Sequence, residues 1–179
     1  MLRRRTTRLP THIALLRGIN VGGSGLLPMK DLTALCTNLG FAHARTYIQS
    51  GNVLFESKLR EEAIRLRLEE ALEKMGKKID VMVRTPAELR AALEANPFPD
   101  QEPAKVAVAF LAGPAPAAAL RTLVTPGGEQ VCAGKREIYV YYPDGQGRSK
   151  LKLPLGGAAA TVRNVNTVAK LVALAEAER

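Results

Sequence analysis

Thr11-His12-Ile13-Ala14-Leu15-Leu16-Arg17-Gly18-Ile19-Asn20-Val21-Gly22-Gly23 begins as a short apolar run and ends as a glycine-rich turn. His12 to Leu16 has the length of a strand, and the glycines end it. Pro28 then opens a helix whose apolar stripe is Met29, Leu32, Leu35, Cys36 and Leu39, and Gly40 follows in the position glycine prefers beyond a helix end. A strand that turns directly into an amphipathic helix points to a mixed α and β protein.

Outward from that unit, Arg45 to Gln49 and Val53 to Glu56 flank Ser50-Gly51-Asn52, residue types that suit a tight reversal, and so read as a hairpin. Between Leu59 and Met75, Ile64, Leu68, Ala71, Leu72 and Met75 form one helix face, with the charged residues mostly on the other. From Ile79 to Arg84 apolar and polar residues alternate, which predicts a strand with one buried face. Thr85-Pro86-Ala87-Glu88 has the pattern of a capping box and predicts a helix to about Ala95.

The order β-α-β-β-α-β of the first six elements is that of a ferredoxin-like unit. The proline-rich segment 97–104 reads as a linker, because proline continues neither a helix nor a central strand. Beyond it the order partly repeats: a strand at Lys105 to Leu111, a helix at Ala117 to Val124, a hairpin from Glu129 to Cys132 and Glu137 to Tyr142, and a helix at Asn164 to Ala177. The expected fold is therefore α+β with two subdomains, 11–96 and 105–179, each related to a ferredoxin-like unit but sharing no visible sequence motif. Residues 1–10 form an Arg-rich tail, expected to be disordered.

The 179 residues, 46% hydrophobic and 24% charged, describe a globular chain. The net charge is +9, with four of the 26 basic residues in Arg3, Arg4, Arg5 and Arg8; the rest of the chain has 22 basic residues against 17 acidic. That excess favours anionic partners and also favours solubility. No apolar run approaches the roughly 20 residues of a membrane helix, and the apolar run after the arginines is too short for a secretory signal. Two distant cysteines, Cys36 and Cys132, make no disulfide framework. The expected location is cytoplasmic, with no membrane partner.

Three segments resemble the signature segments of the "domain of unknown function 1697" family of conserved bacterial proteins: 16–23 (LRGINVGG), 45–55 (RTYIQSGNVLF) and 161–171 (TVRNVNTVAKL). The resemblance spans about Thr11 to Leu174 and implies two ferredoxin-related subdomains, with no reaction or catalytic residues to carry over. Val165 stands where relatives commonly have tryptophan.

The turn after the first strand can present backbone N–H groups to an anion, since glycine allows close approach. Its spacing Gly18-x4-Gly23 resembles a phosphate loop but has Ser24 and Gly25 where lysine and a serine or threonine are required. A nucleotide fingerprint is thus unsupported and no cofactor is expected. Arg17 offers a planar fork for phosphate or carboxylate, or for an internal carboxylate.

The candidate ligand-binding residues are Arg17, Asn20, Gly22, Gly23, Gln49, Ser50, Asn52, Arg163 and Asn164. Turn chemistry also explains Gln49, Ser50 and Asn52, and helix capping also explains Asn164. The turn and the hairpin are expected at opposite ends of their strands, so the two need not form one pocket. Nucleic acid is a weakly supported partner: RNA-recognition sheets need stacking aromatics, and only Tyr47 and Phe55 stand near the central strands, with Tyr139 and Tyr141 beside Arg148, Lys150 and Lys152 later. His12 and His43 have no evident nucleophile nearby, and the spacing of histidine and cysteine suggests no metal site. The leading expectation is a binding protein for a small anionic or phosphorylated ligand or a nucleic-acid backbone. The alternatives are an enzyme using a cleft between the subdomains, through Gln49, Asn52, Arg163 and Asn164, and a protein-interaction module.

Overall fold

The computed structural model describes residues 8–20 and 26–177. These form an α+β fold of two four-stranded antiparallel sheets and five helices. The first half contains β1 (Thr11–Leu16), α1 (Met29–Asn38), β2 (Ala42–Tyr47), β3 (Asn52–Glu56), α2 (Glu61–Lys74), β4 (Val81–Arg84) and α3 (Pro86–Glu94). The second contains β5 (Val106–Leu111), α4 (Ala117–Leu120), β6 (Gln130–Ala133), β7 (Glu137–Tyr141), β8 (Ala160–Asn164) and α5 (Val165–Glu176). The strand orders are β2-β3-β1-β4 and β6-β7-β5-β8, so each half sets its first strand between its third and fourth.

Local signals account for several boundaries. Thr85 and Glu88 exchange side-chain and backbone hydrogen bonds as the capping box that starts α3. Gly40, at φ 81°, takes the left-handed conformation that ends α1. Asn164 accepts from Thr167 N as the N-cap of α5.

The structure corrects three expectations. Residues 160–164, where no strand is expected from the sequence, are strand β8, which has little strand pattern of its own and is held by five-residue pairing to β5. The helix expected at 117–124 stops at Leu120. Strand β4 is buried on both faces, not one: Val81 and Val83 pack under α1 and α2, while Met82 enters a core shared by both halves and Arg84 is 1% exposed.

That shared core explains why the halves form one structure. Ile13, Leu15, Leu54 and Met82 from the first sheet meet Val106, Val108, Phe110 and Tyr139 from the second, with Leu89 of α3 and Val168, Leu171 and Val172 of α5. The proline-rich connection contributes as well, since Phe98 is buried there and contacts Tyr141. Of the Arg-rich start, residues 1–7 lie outside the described residues, whereas Arg8 pairs with Glu56 at 2.7 Å and Pro10 O accepts from Ser57 N.

Candidate functional site

The β1–α1 turn and the β2–β3 hairpin adjoin, contrary to the expectation that they lie at opposite ends of their strands. The reason is the antiparallel register: Leu15 pairs with Asn52, so the end of β1 lies beside the start of β3. Leu16 N donates to Gly51 O, and Asn20 donates from Nδ2 to Gln49 O at 2.8 Å. Asn20 also spans its own turn, donating to Leu27 O and accepting at Oδ1 from Leu27 N. It does so at φ 56°, in the left-handed region that asparagine tolerates better than most residues. Gly51 has no substitute here: it sits at φ 82°, and an added Cβ would come within 2.4 Å of Ile19. Ile48, a β-branched residue, is held at φ 50° and half-exposed, a strained conformation of the kind that clusters at ligand clamps and switch regions. Gly22 and Gly23 lie outside the described residues.

Beneath this junction lies Arg163, 7% exposed. Its Nε donates to Asn52 Oδ1 at 2.7 Å, Nη1 to Thr161 Oγ1 and Val162 O, and Nη2 to Leu16 O and Ser50 O, both at 2.8 Å. Thr161 adds its own hydroxyl to Leu16 O. The three segments singled out in the sequence thus converge on one side chain. Asn52, fully buried, spends its amide nitrogen on Tyr47 O and Ser50 Oγ. Asn52 and Arg163 therefore hold the halves together, and Asn164 caps α5. Of the four residues expected to line a reactive cleft, Asn52 and Arg163 are engaged with one another and Asn164 with Thr167, while Gln49 lies toward the surface with Arg17 and Ser50. Arg17 is exposed and pairs with exposed Asp80 at 3.0 Å.

Residues 9–139 match the family model described as protein of unknown function, DUF1697. The chain belongs to that family. In this DUF1697 chain the match takes in the first two of the three segments, and the third lies beyond it. The fold is similar to that of the conserved bacterial protein SP0830 from Streptococcus pneumoniae, with a TM-score of 0.76 at 24% identity, covering 93% of this chain and 99% of that one. The curated proteins contain no match to the chain.

The electrostatics of the DUF1697 chain separate its two buried arginines. Among the described residues no carboxylate lies within ion-pair reach of Arg163, and burial pulls its guanidinium down to about 10, leaving it charged at neutral pH. Arg84 instead sits among Glu61 at 3.7 Å, Glu137 at 4.0 Å and Arg136. The two residues correspond in detail. Arg84 pairs with Ile13, the third residue of β1, and donates to Val83 O and to Leu111 O at the end of β5. Arg163 pairs with Val108, the third residue of β5, and donates to Val162 O and to Leu16 O at the end of β1. Each is the middle of a valine, arginine and N-cap triplet, Val83-Arg84-Thr85 and Val162-Arg163-Asn164. This is a motif shared by the halves that inspection of the sequence missed, because three residues carry no periodic signal.

The remaining sequence candidates for chemistry are structural. His12 is buried against Phe55, with its ring nitrogen 3.3 Å from Ser57 O, and desolvation holds its pKa below the usual histidine value. Phe55 stacks on Phe41 in the core, and the Tyr139 hydroxyl donates to Ala92 O, so neither offers a ring for base stacking. Cys36 and Cys132 are free thiols. Among the described residues no group of histidine, cysteine or carboxylate side chains is arranged to hold a metal, and no helix is long and apolar enough to cross a membrane.

Proposed function

We propose that the protein is a cytoplasmic binding protein for a small anionic or phosphorylated ligand, received where the β1–α1 turn meets the β2–β3 hairpin. The observation that carries this reading is the buried Arg163 charge with no carboxylate beside it, directly under that junction. A buried unpaired charge is costly, and an anion at the surface above it would supply the missing negative charge. Arg17 is the receiving group: its exposed pair with Asp80 is worth little in water, so a ligand can displace Asp80. Ser50 and Gln49 are the neighbouring donors. A nucleic-acid backbone would satisfy the same charges; its affinity would fall steeply with salt.

The test is thermal shift and calorimetry with pyrophosphate and a panel of phosphate monoesters. Stabilisation is expected for the native chain, lost in Arg17→Ala and increased in Asp80→Asn, which frees Arg17. Equal stabilisation of all three, or none by any anion, overturns the proposal.

We also read the halves 11–96 and 105–179 as two ferredoxin-related units. Their identical strand order and the matched arginines at 84 and 163 support this. In the second unit the crossover from β7 to β8 runs through residues 142–159 without an α-helix.

A further inference from the structure

A concavity of about 570 Å³ opens between α3 of the first half and strands β6 and β7 of the second. Its wall is Ala91, Ala95 and Pro97 at the end of α3, faced by Cys132 and Tyr139 of the second sheet. Arg84, Glu88, Lys135, Arg136 and Glu137 are its charged residues. The volume lies in the roughly 300–1,000 Å³ range of small-molecule sites, which favour seams of this kind and a mostly apolar lining.

The correspondence between the halves shows what this cleft lacks. Leu16 N donates to Gly51 O in the first half and Leu111 N to Arg136 O in the second, so Arg136 stands where Gly51 does. Asn52 pairs with Leu15 and Glu137 with Phe110, each the fifth residue of its strand, so Glu137 stands where Asn52 does. At the closed seam, Arg163 Nε meets the Asn52 amide oxygen at 2.7 Å. At the open one, Arg84 Nε is 4.0 Å from Glu137 Oε1, beyond hydrogen-bond range, while Glu137 Oε2 accepts from Arg136 N. Arg136 Nε is buried with no hydrogen-bond partner. Where the first half provides an amide, the second leaves a donor facing a carboxylate across a gap.

We propose that this cleft binds an uncharged molecule with an apolar body and a primary carboxamide head, the head bridging Arg84 and Glu137. Its carbonyl oxygen accepts from Arg84 Nε, as the Asn52 amide oxygen does from Arg163. Its NH2 donates to Glu137 Oε1. A carboxylate head in the same place would set an oxygen, with no hydrogen to donate, against Glu137 Oε1. An ammonium head would leave the Arg84 donor unmet.

Cys132, in the cleft, provides the readout, since Cys36 is fully buried and its thiol is pushed up to about 12. The experiment measures the rate of Cys132 alkylation by iodoacetamide with millimolar benzamide, benzoate or benzylamine, which share one body and differ in the head. Benzamide is expected to slow alkylation several-fold while the other two do not. Glu137→Gln, with its fold checked by melting temperature, is expected to reduce protection by benzamide and raise that by benzoate. Absence of protection by benzamide, or equal protection by all three, overturns the proposal, as does benzamide protection unchanged in Glu137→Gln. Anion binding at the Arg17 junction is scored separately by phosphate, so either result stands without the other.

Discussion

Arg163 and Arg84 occupy corresponding positions on the last strands of their halves, and the protein treats the two charges differently. Arg163 is surrounded by neutral carbonyl, hydroxyl and amide oxygens and closes its seam. Arg84 has two carbonyls and three more distant carboxylates, and its seam stays open enough to leave a cleft. The comparison teaches that a buried guanidinium fixes a structure when neutral acceptors meet its donors at hydrogen-bond distance; carboxylates that balance the charge from 3.7 Å or more leave room for something else.

The strongest way to break this comparison is Arg163→Met. It removes the donors of Leu16 O, Ser50 O and Asn52 Oδ1 together, and the expected loss is about 3 kcal/mol or more, read by urea unfolding. A loss under about 1 kcal/mol would mean that the seam is held by packing alone. Gly51→Ala follows, at about 2 kcal/mol, because the new Cβ meets both a left-handed backbone and Ile19.

Glu61→Gln tests the charged seam and should cost about 1 kcal/mol, since the pair is partly exposed and screened. Glu61 grips both Nη atoms of Arg136. Burial alone would raise its carboxyl pKa, but the hydrogen bond and charge of Arg136, with the charges of Arg84 and Arg65, hold it below the ordinary 4.5. A depressed carboxyl contributes stability that is present above its unfolded value and lost as pH falls through the folded one. The native chain should therefore lose this contribution on acidification below about pH 4.5, and Glu61→Gln should lack that part of the acid slope. Salt should weaken the Glu61 seam and leave the Arg163 seam unchanged. The smallest effect is that of Arg17→Ala on stability, under about 0.5 kcal/mol, because both partners of its ion pair are exposed.

How much of this was legible in the sequence depends on the range of the interaction. The capping box at Thr85, the left-handed Gly40, the Asn164 cap and the helix stripes are local, and their residues announced them. Strand β8 was not legible, because Ala160-Thr161-Val162-Arg163-Asn164 becomes a strand only through pairing with β5, 49 to 57 residues away. The same holds for the junction of turn and hairpin, which depends on Leu15 meeting Asn52 across the sheet. Arg17 was weighed from the start as either a ligand fork or half of an ion pair, and Asp80 supplies the pair. Arg84, Arg136 and Glu137 drew no notice because each is an ordinary charged residue until a neighbour distant in sequence makes it part of the cleft. Arg84 alone has a signal, the Val-Arg-cap triplet that recurs at Arg163.

The core common to both halves has a consequence for synthesis. As the chain emerges, the strands up to Arg84 can pair into the first sheet, and α1 and α2 can cover one of its faces. The other face, with Ile13, Leu15, Leu54 and Met82, has only Leu89 and Ala92 of α3 to cover it until the second sheet and α5 arrive. For the length of about 80 further residues, at roughly 5–20 residues per second, the nascent protein carries an incompletely covered apolar sheet. In that interval it is open to capture by chaperones or by a neighbouring nascent chain.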